Sequence, residues 1–207
     1  MRILVTAGPT REFLDPIRYI SNSSTGYFGY RIAEEAIHRG HEVVLVSGPV
    51  AIDPPLGARF IPVVSALEME KAVKKHFFKA DCLIMTAAVA DYRPVRFSKS
   101  KIKKRGKALN IKMRLNPDIL SWAGRNKGKR KVIGFALETE NTVKNALKKM
   151  KAKNADLLFA IRMGGAAGPF GDRKIRVICL KNAARPEGLL SAKDKIARFV
   201  LDKAENG

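Results

Sequence analysis

Residues 18–29, RYISNSSTGYFG, place five small polar side chains, Ser21 to Thr25, directly before a run with helical spacing. Such residues make poor core. Beside a helix N-terminus, where free N–H groups carry partial positive charge, they make a cradle for phosphate or carboxylate, with the Asn22 amide able to polarise a reacting carbonyl. The plainer reading is a polar loop with a helix cap. In AAVADYRP (87–94) the small residues let a ligand approach, and Asp91 suits a ribose, a base, a metal or simply a turn. In SKIKK (100–104) an extended chain points Lys101 and Lys103 one way and Lys104 the other. That loop either closes over a triphosphate or is a solvated charge run. Lys149 and Lys153 lie four apart in KKMKAK (148–153), where like charges on one helix face repel unless an anion sits between them. Phe135 in GFALET (134–139) either stacks on a base or belongs to the core. The three histidines have no metal-ligand spacing, and no GxSxG motif occurs. Together the segments ask for a phosphate-rich substrate, a nucleoside triphosphate and a polarising amide.

These residues need a frame. RILVTAG (2–8), HEVVLVSGP (41–49), ARFIPVV (58–64), DCLIMTAA (81–88), KALNIKMRL (107–115), KVIGFALET (131–139), ADLLFAI (155–161) and RKIRVICL (173–180) read as strands, most of them apolar runs suited to burial on both faces. Between them, helices are expected from about Gly26 to Arg39, closed by Gly40, after a Ser65–Glu68 capping box, after Asn116-Pro117, up to about Lys153, and after Ser191 with Asp194. The Gly-rich stretch 163–172 reads as a loop. The order predicts one α/β domain over residues 1–207, a doubly wound, mostly parallel sheet with ligands at the C-terminal ends of its strands.

Composition narrows the function. Forty Lys and Arg against nineteen Asp and Glu give a net charge of +21, so polyanion binding enters as a hypothesis. No apolar run is long enough to span a membrane, and the start of the first strand leaves no room for a signal peptide. Cys82 and Cys179, inside apolar strands, read as buried free thiols of a reducing cytoplasm.

The motifs TAGPTREFLDPIRYISNSSTG, VSGP, AAVADYRP, KIKK, IKMRLNPDIL, GFALET and KNADLL, in this order, resemble the phosphopantothenate–cysteine ligase family of coenzyme A biosynthesis over nearly the whole chain. The resemblance implies a Rossmann-like fold, a homodimer with a dimerising C-terminal portion, and a stand-alone ligase accompanied by a separate decarboxylase chain. It implies that 4′-phosphopantothenate is activated as an acyl-nucleotidylate, by CTP with ATP as the alternative and with Mg²⁺ on the triphosphate, before attack by cysteine. By motif, Asn22, Arg18 and Lys101 take the catalytic roles. Met85, Thr86, Ala87, Asp91, Lys101, Pro117, Asp118, Ile119, Leu120, Phe135, Lys149 and Lys153 form the nucleotide site, and Gly8, Ser24 and Thr25 meet phosphate; no protein metal cage is implied. The chain departs from the family pattern at Tyr27, where a lysine is usual, and at Ile161-Arg162.

Two other classes compete. A nucleic-acid-binding module accounts for the charge but brings no reading motif, so no specific nucleic acid and no membrane partner are expected. A nicotinamide-dependent reductase would need an acidic residue after the second strand, which ends instead in VSGP.

Overall fold

A computed structural model describes residues 1–104, 106–163, 174–181 and 185–206. The chain opens with β1 (Arg2–Ala7), then β2 (Arg11–Phe13), β3 (Tyr19–Ser21), α1 (Tyr27–His38), β4 (Glu42–Ser47), β5 (Arg59–Pro62), α2 (Ala66–Phe77) and β6 (Cys82–Met85). It continues through β7 (Tyr92–Pro94), β8 (Met113–Leu115), α3 (Ile119–Arg125), β9 (Lys131–Glu138), α4 (Thr142–Lys153), β10 (Leu157–Arg162), β11 (Ile175–Lys181), β12 (Glu187–Ser191) and α5 (Lys193–Asn206).

Eight strands form one sheet in the order β12-β11-β10-β9-β6-β1-β4-β5. The run from β5 to β10 is parallel, and β11 and β12 turn antiparallel. The expected doubly wound, mostly parallel, Rossmann-like sheet is therefore what forms. The chain runs outward from β1 through β4 and β5, then returns to place β6 on the other side of β1. A crevice opens at such a reversal, beyond the carboxyl ends of β1 and β6.

Side chains alternate across β1. Ile3, Val5 and Ala7 pack towards α1 and α5, and Leu4 packs towards α2, α3 and α4. Both faces are apolar because both are covered, which is why these strands read as continuous hydrophobic runs. Cys82 and Cys179 are buried free thiols, and loss of water pushes their pKa values up to about 12 and about 11. Helix α1 ends as its glycine predicts: Gly40 adopts φ 77°, its N–H donates to Ile37 O at 2.9 Å, and the His41 N–H donates to Ala36 O at 3.0 Å. At the start of α2, Ser65 Oγ accepts from the Glu68 N–H at 3.3 Å. The buried Glu12 carboxylate accepts from the Ala66 N–H at 2.9 Å.

The two helix layers differ in charge. Helices α1 and α5 carry five basic and five acidic side chains. Arg39 reaches Glu35, Asp202 and Glu205 at 3.0, 2.8 and 2.9 Å, and Arg31 reaches Asp194 at 2.7 Å. Helices α2, α3 and α4, with the turns 78–80 and 126–130, carry thirteen basic and two acidic side chains.

Several expectations are corrected. Of 107–115, only Met113–Leu115 is a strand, and it joins β7 in a separate antiparallel pair. Helix α3 starts at Ile119 with Asp118 as its cap, because the Asn116 side chain is engaged elsewhere: its amide donates to Ala90 O at 2.8 Å and accepts from Arg93 at 2.9 Å. Ser191 closes β12, a strand that the sequence pattern does not suggest, and α5 begins at Lys193. The β2–β3 hairpin forms where the sequence suggests only a polar excursion. The loop expected at 163–172 lies, apart from Met163, outside the described residues.

Candidate functional site

Beyond the sheet ladder, β1 and β6 stay zipped by two threonines. Thr86 Oγ1 donates to Thr6 O at 2.6 Å, and the Ala87 N–H donates to Thr6 Oγ1 at 3.3 Å. The Ala90 N–H donates to Thr10 Oγ1 at 3.0 Å, and the Ala88 N–H to Gly8 O at 2.9 Å. This doubled strand end is the floor of a cleft of about 990 Å³.

One wall is the cradle read from the sequence. Ser21 Oγ donates to Thr10 O at 2.8 Å, which brings the next residue over the floor. The Asn22 Nδ2 group then donates to Ala88 O at 3.0 Å and Val89 O at 3.2 Å. Both amide hydrogens are thus held by the floor, and to polarise a ligand carbonyl Asn22 exchanges one of these bonds. Ser24 Oγ accepts from the Gly26 N–H at 3.3 Å and Thr25 Oγ1 from the Tyr27 N–H at 3.5 Å, which shapes the turn into α1. Gly26 takes φ 74° at the helix cap with no side-chain cap bond. A Cβ at Gly29 would stand 2.4 Å from Thr86 Oγ1, so only glycine lets the first turn of α1 lie on the strand ends. Gly8 packs under the cradle against Gly48 and does not line the cleft.

The opposite wall comes from α3, β9 and α4. Leu115 to Leu120 line it with Phe135, Lys149 and Lys153. Asp118 Oδ1 accepts from the Ser121 N–H at 2.9 Å while Oδ2 pairs with Lys153. An anion does sit by the lysine pair, and it is this carboxylate. Lys149 Nζ donates to Phe135 O at 3.4 Å. The Phe135 ring stacks on Phe159 at 5.3 Å and meets Phe28 edge-on at 5.3 Å, so its ring contacts are made within the core. Partial burial raises the Asp118 pKa, but the Lys153 hydrogen bond, the Ser121 N–H and the charges of Lys153 and Lys149 outweigh it, and the carboxyl lies below its ordinary value. A group depressed in this way stabilises above its unfolded pKa and loses that contribution as pH falls through the folded one. Asp118→Ala should therefore be about 1 kcal/mol less stable in urea at pH 7. The deficit should shrink in acid below the ordinary carboxylate range, and a deficit that does not change with pH would rule out the charge pairing as its cause.

Asn22, Ser24, Thr25, Met85, Thr86, Ala87, Asp91, Pro117, Asp118, Ile119, Leu120, Phe135, Lys149 and Lys153 all line this one cleft. Arg18 and Lys101 do not. Arg18 Nη1 reaches Asp15 Oδ2 at 3.1 Å and Ile102 O at 3.0 Å, and Asp15 Oδ2 also accepts from the Ile102 N–H at 3.0 Å. Burial raises the Asp15 pKa, but the N–H groups of Ile102, Ile17 and Arg18 and the Arg18 charge lower it further, so it remains an anion. The basic loop is tied to the β2–β3 hairpin at Ile102, leaving Lys101 exposed beside the tether. Sequence reasoning missed Phe28, Leu115, Asn116 and Lys193 as cleft residues. For Lys193 a signal existed: a cation in the first turn of a helix opposes the helix dipole and asks for a reason.

No group of three or more His, Cys, Asp or Glu that could hold a metal occurs among the described residues. The cleft offers the carboxylates Asp91 and Asp118, the second already paired with Lys153.

Comparisons with known proteins show the family and the fold. The family described as DNA/pantothenate metabolism flavoprotein C-terminal domain matches residues 1–206. The coenzyme A biosynthesis bifunctional protein CoaBC of Bacillus subtilis is 39% identical over 203 residues, which is 97% of this chain and 50% of that protein. Its Escherichia coli K12 counterpart is 47% identical over 164 residues, 77% of this chain and 40% of that protein. The chain thus spans about half the length of these relatives. A crystal structure of the C-terminal domain of a CoaBC protein superposes with a TM-score of 0.82 at 39% identity, covering 98% of this chain and 92% of that one.

Proposed function

The chain belongs to the family of DNA/pantothenate metabolism flavoprotein C-terminal domains, and from that premise we propose that it is a phosphopantothenate–cysteine ligase of coenzyme A biosynthesis. It joins 4′-phosphopantothenate to L-cysteine through an acyl-nucleotidylate formed with CTP in preference to ATP. One observation carries the reading: the crevice at the strand-order reversal gathers the Asn22–Thr25 cradle and the Asp91, Pro117–Leu120, Phe135, Lys149 and Lys153 set in a single cleft.

In the first step a carboxylate oxygen of phosphopantothenate attacks the α-phosphorus. The bond to the β-phosphate oxygen breaks, and pyrophosphate leaves with the electron pair. Lys149 and Lys153 line the cleft and are assigned to offset charge on the phosphates, Lys153 leaving its Asp118 partner to do so. In the second step the cysteine amine attacks the acyl carbon, the bond to the nucleotide oxygen breaks, CMP leaves, and the amine gives up a proton to water. Asn22 polarises the acyl oxygen in both steps, and Lys101 acts in the second from its tethered loop. The donor set fits a magnesium ion that arrives with the triphosphate and takes most of its ligands from phosphate and water, with Asp91 as the available protein carboxylate. Bound there, the ion would supply charge neutralisation to the phosphates.

The reading includes a homodimer, a separate decarboxylase chain and a cytoplasmic setting. No helix among the described residues is long and apolar enough to cross a membrane. The test is pyrophosphate release by the purified protein with 4′-phosphopantothenate and Mg²⁺, comparing CTP with ATP, each with and without cysteine. Cysteine-stimulated release with CTP is the expected outcome. No release with either nucleotide from folded protein would overturn the proposal.

A further inference from the structure

At the end of the sheet away from the cleft, Arg2 opens β1, Asp81 precedes β6, and Lys129 and Arg130 precede β9. There Arg2, Lys79, Lys129 and Arg130 surround a hollow of about 400 Å³ together with Phe78 and Asp81. The Asp81 carboxylate accepts from the Arg2 backbone N–H at 2.7 Å. None of the four cations pairs with a carboxylate among the described residues, and on the whole α2–α4 layer only Lys74, Lys127 and Lys153 do. The helix dipole accounts for the cations in the last turns of α2 and α3, but Arg2, Lys129 and Arg130 lie outside any helix. Four positive charges to one carboxylate repel one another until an anion joins them. The field reaches His76, whose pKa is lowered by burial and then by the charges of Arg59, Lys75 and Lys79.

Aromatic rings lie among these charges. The Arg130 guanidinium stands 5.2 Å from the centre of the Phe78 ring and 5.7 Å from that of Phe77. Its Nη2 donates to Phe78 O at 2.8 Å, and its Nε is buried without a hydrogen-bond partner. The Phe78 ring is 54% exposed and meets Trp122 edge-on at 5.9 Å, and Lys74 Nζ stands 5.3 Å from the centre of the Trp122 ring. Cations beside an exposed ring suit a chain that offers phosphates and bare bases together. A protein partner fits less well, because its interface wants an apolar centre poor in lysine. The large apolar side chains that this layer exposes, Leu67 and Phe78, stand at opposite ends of α2.

We propose that this surface binds single-stranded nucleic acid without sequence preference, with Arg2, Lys79, Lys129 and Arg130 on successive phosphates and a base stacked on the Phe78 ring. It uses no residue of the cleft and stands independently of the ligase reading. The shared chemistry, a phosphodiester chain with unpaired bases, belongs to RNA and DNA alike, and the two are compared directly.

The experiment measures binding of a fluorescein-labelled, uridine- or thymidine-rich oligonucleotide of about 12 nucleotides to the full chain by anisotropy. The dissociation constant should lie below about 10 µM at physiological salt, and log K should fall against log salt with a slope of about −3, from four phosphates. Lys79→Gln combined with Lys129→Gln should make that slope shallower by about 1 to 1.5. Phe78→Ala should weaken binding by about tenfold at an unchanged slope. Lys195→Gln combined with Arg198→Gln removes the same charge from α5 and should change affinity by less than about twofold. Trp122, the single tryptophan of the chain, sits against Phe78, so its emission should change as the strand binds. The tighter of RNA and DNA names the source. Weaker binding by wild type overturns the proposal, as does an equal loss from the α5 pair. A fully paired duplex that binds at least as tightly also overturns it, and polyglutamate that does so marks the surface for an acidic protein instead. Where Phe78→Ala lowers the melting temperature, the wild-type Trp122 signal decides, and unchanged emission overturns stacking at Phe78.

Discussion

Asn22→Asp should lower kcat/KM for pyrophosphate release by about 10³-fold while the protein stays folded. The wild-type Nδ2 group donates to Ala88 O and Val89 O. An aspartate puts carboxylate oxygen against those same carbonyls, so the side chain turns off the floor. It also removes the N–H available to a developing oxyanion and sets a negative charge beside an anionic substrate. Removing one such donor typically costs about 10²- to 10³-fold, and the added repulsion places the result at the upper end. Steady-state kinetics together with far-UV circular dichroism checks this. Activity within about tenfold of wild type would mean that Asn22 only holds the loop.

The second large effect belongs to a residue outside the cleft. Lys101→Gln should reduce cysteine-dependent turnover by about 10²-fold or more, while exchange of labelled pyrophosphate into CTP, which reports the first step, continues. The loop holding Lys101 is fastened at Ile102 to Asp15 and Arg18, and Lys101 does not line the cleft, so its part in the second step requires the loop to move. Parallel loss of both activities would instead put Lys101 in nucleotide binding. Unaltered turnover would remove it from the mechanism.

The sequence is most legible where burial dictates composition. β1, β4, β9 and β10 are covered on both sides, and runs such as RILVTA and LLFAIR leave little ambiguity about their state. The cradle is visible for the opposite reason, since five polar residues before a helix demand an explanation. The three-residue strands β2, β3, β7 and β8 leave no such trace, because three residues are too few to show an alternation of their own. Asn116-Pro117 misleads because an Asn before Pro is a good cap in isolation. In the folded chain, hydrogen bonds to Ala90 and Arg93 claim its side chain, and Asp118 caps instead. Lys193 is far from Tyr27 in the chain, and only the packing of α5 beside α1 brings the two together.

The neutral α1/α5 layer and the strongly basic α2–α4 layer make the molecule electrically lopsided. A dipole of that kind does little for the fold, but it organises traffic. Anionic compounds drift down the potential towards the α2–α4 side and reach the rim of the cleft at the Lys149 and Lys153 end first. The approach works over about one Debye length, roughly 8 Å at physiological ionic strength. On the ligase reading, added salt should therefore slow capture of the phosphorylated substrates while leaving the short contacts inside the cleft almost untouched.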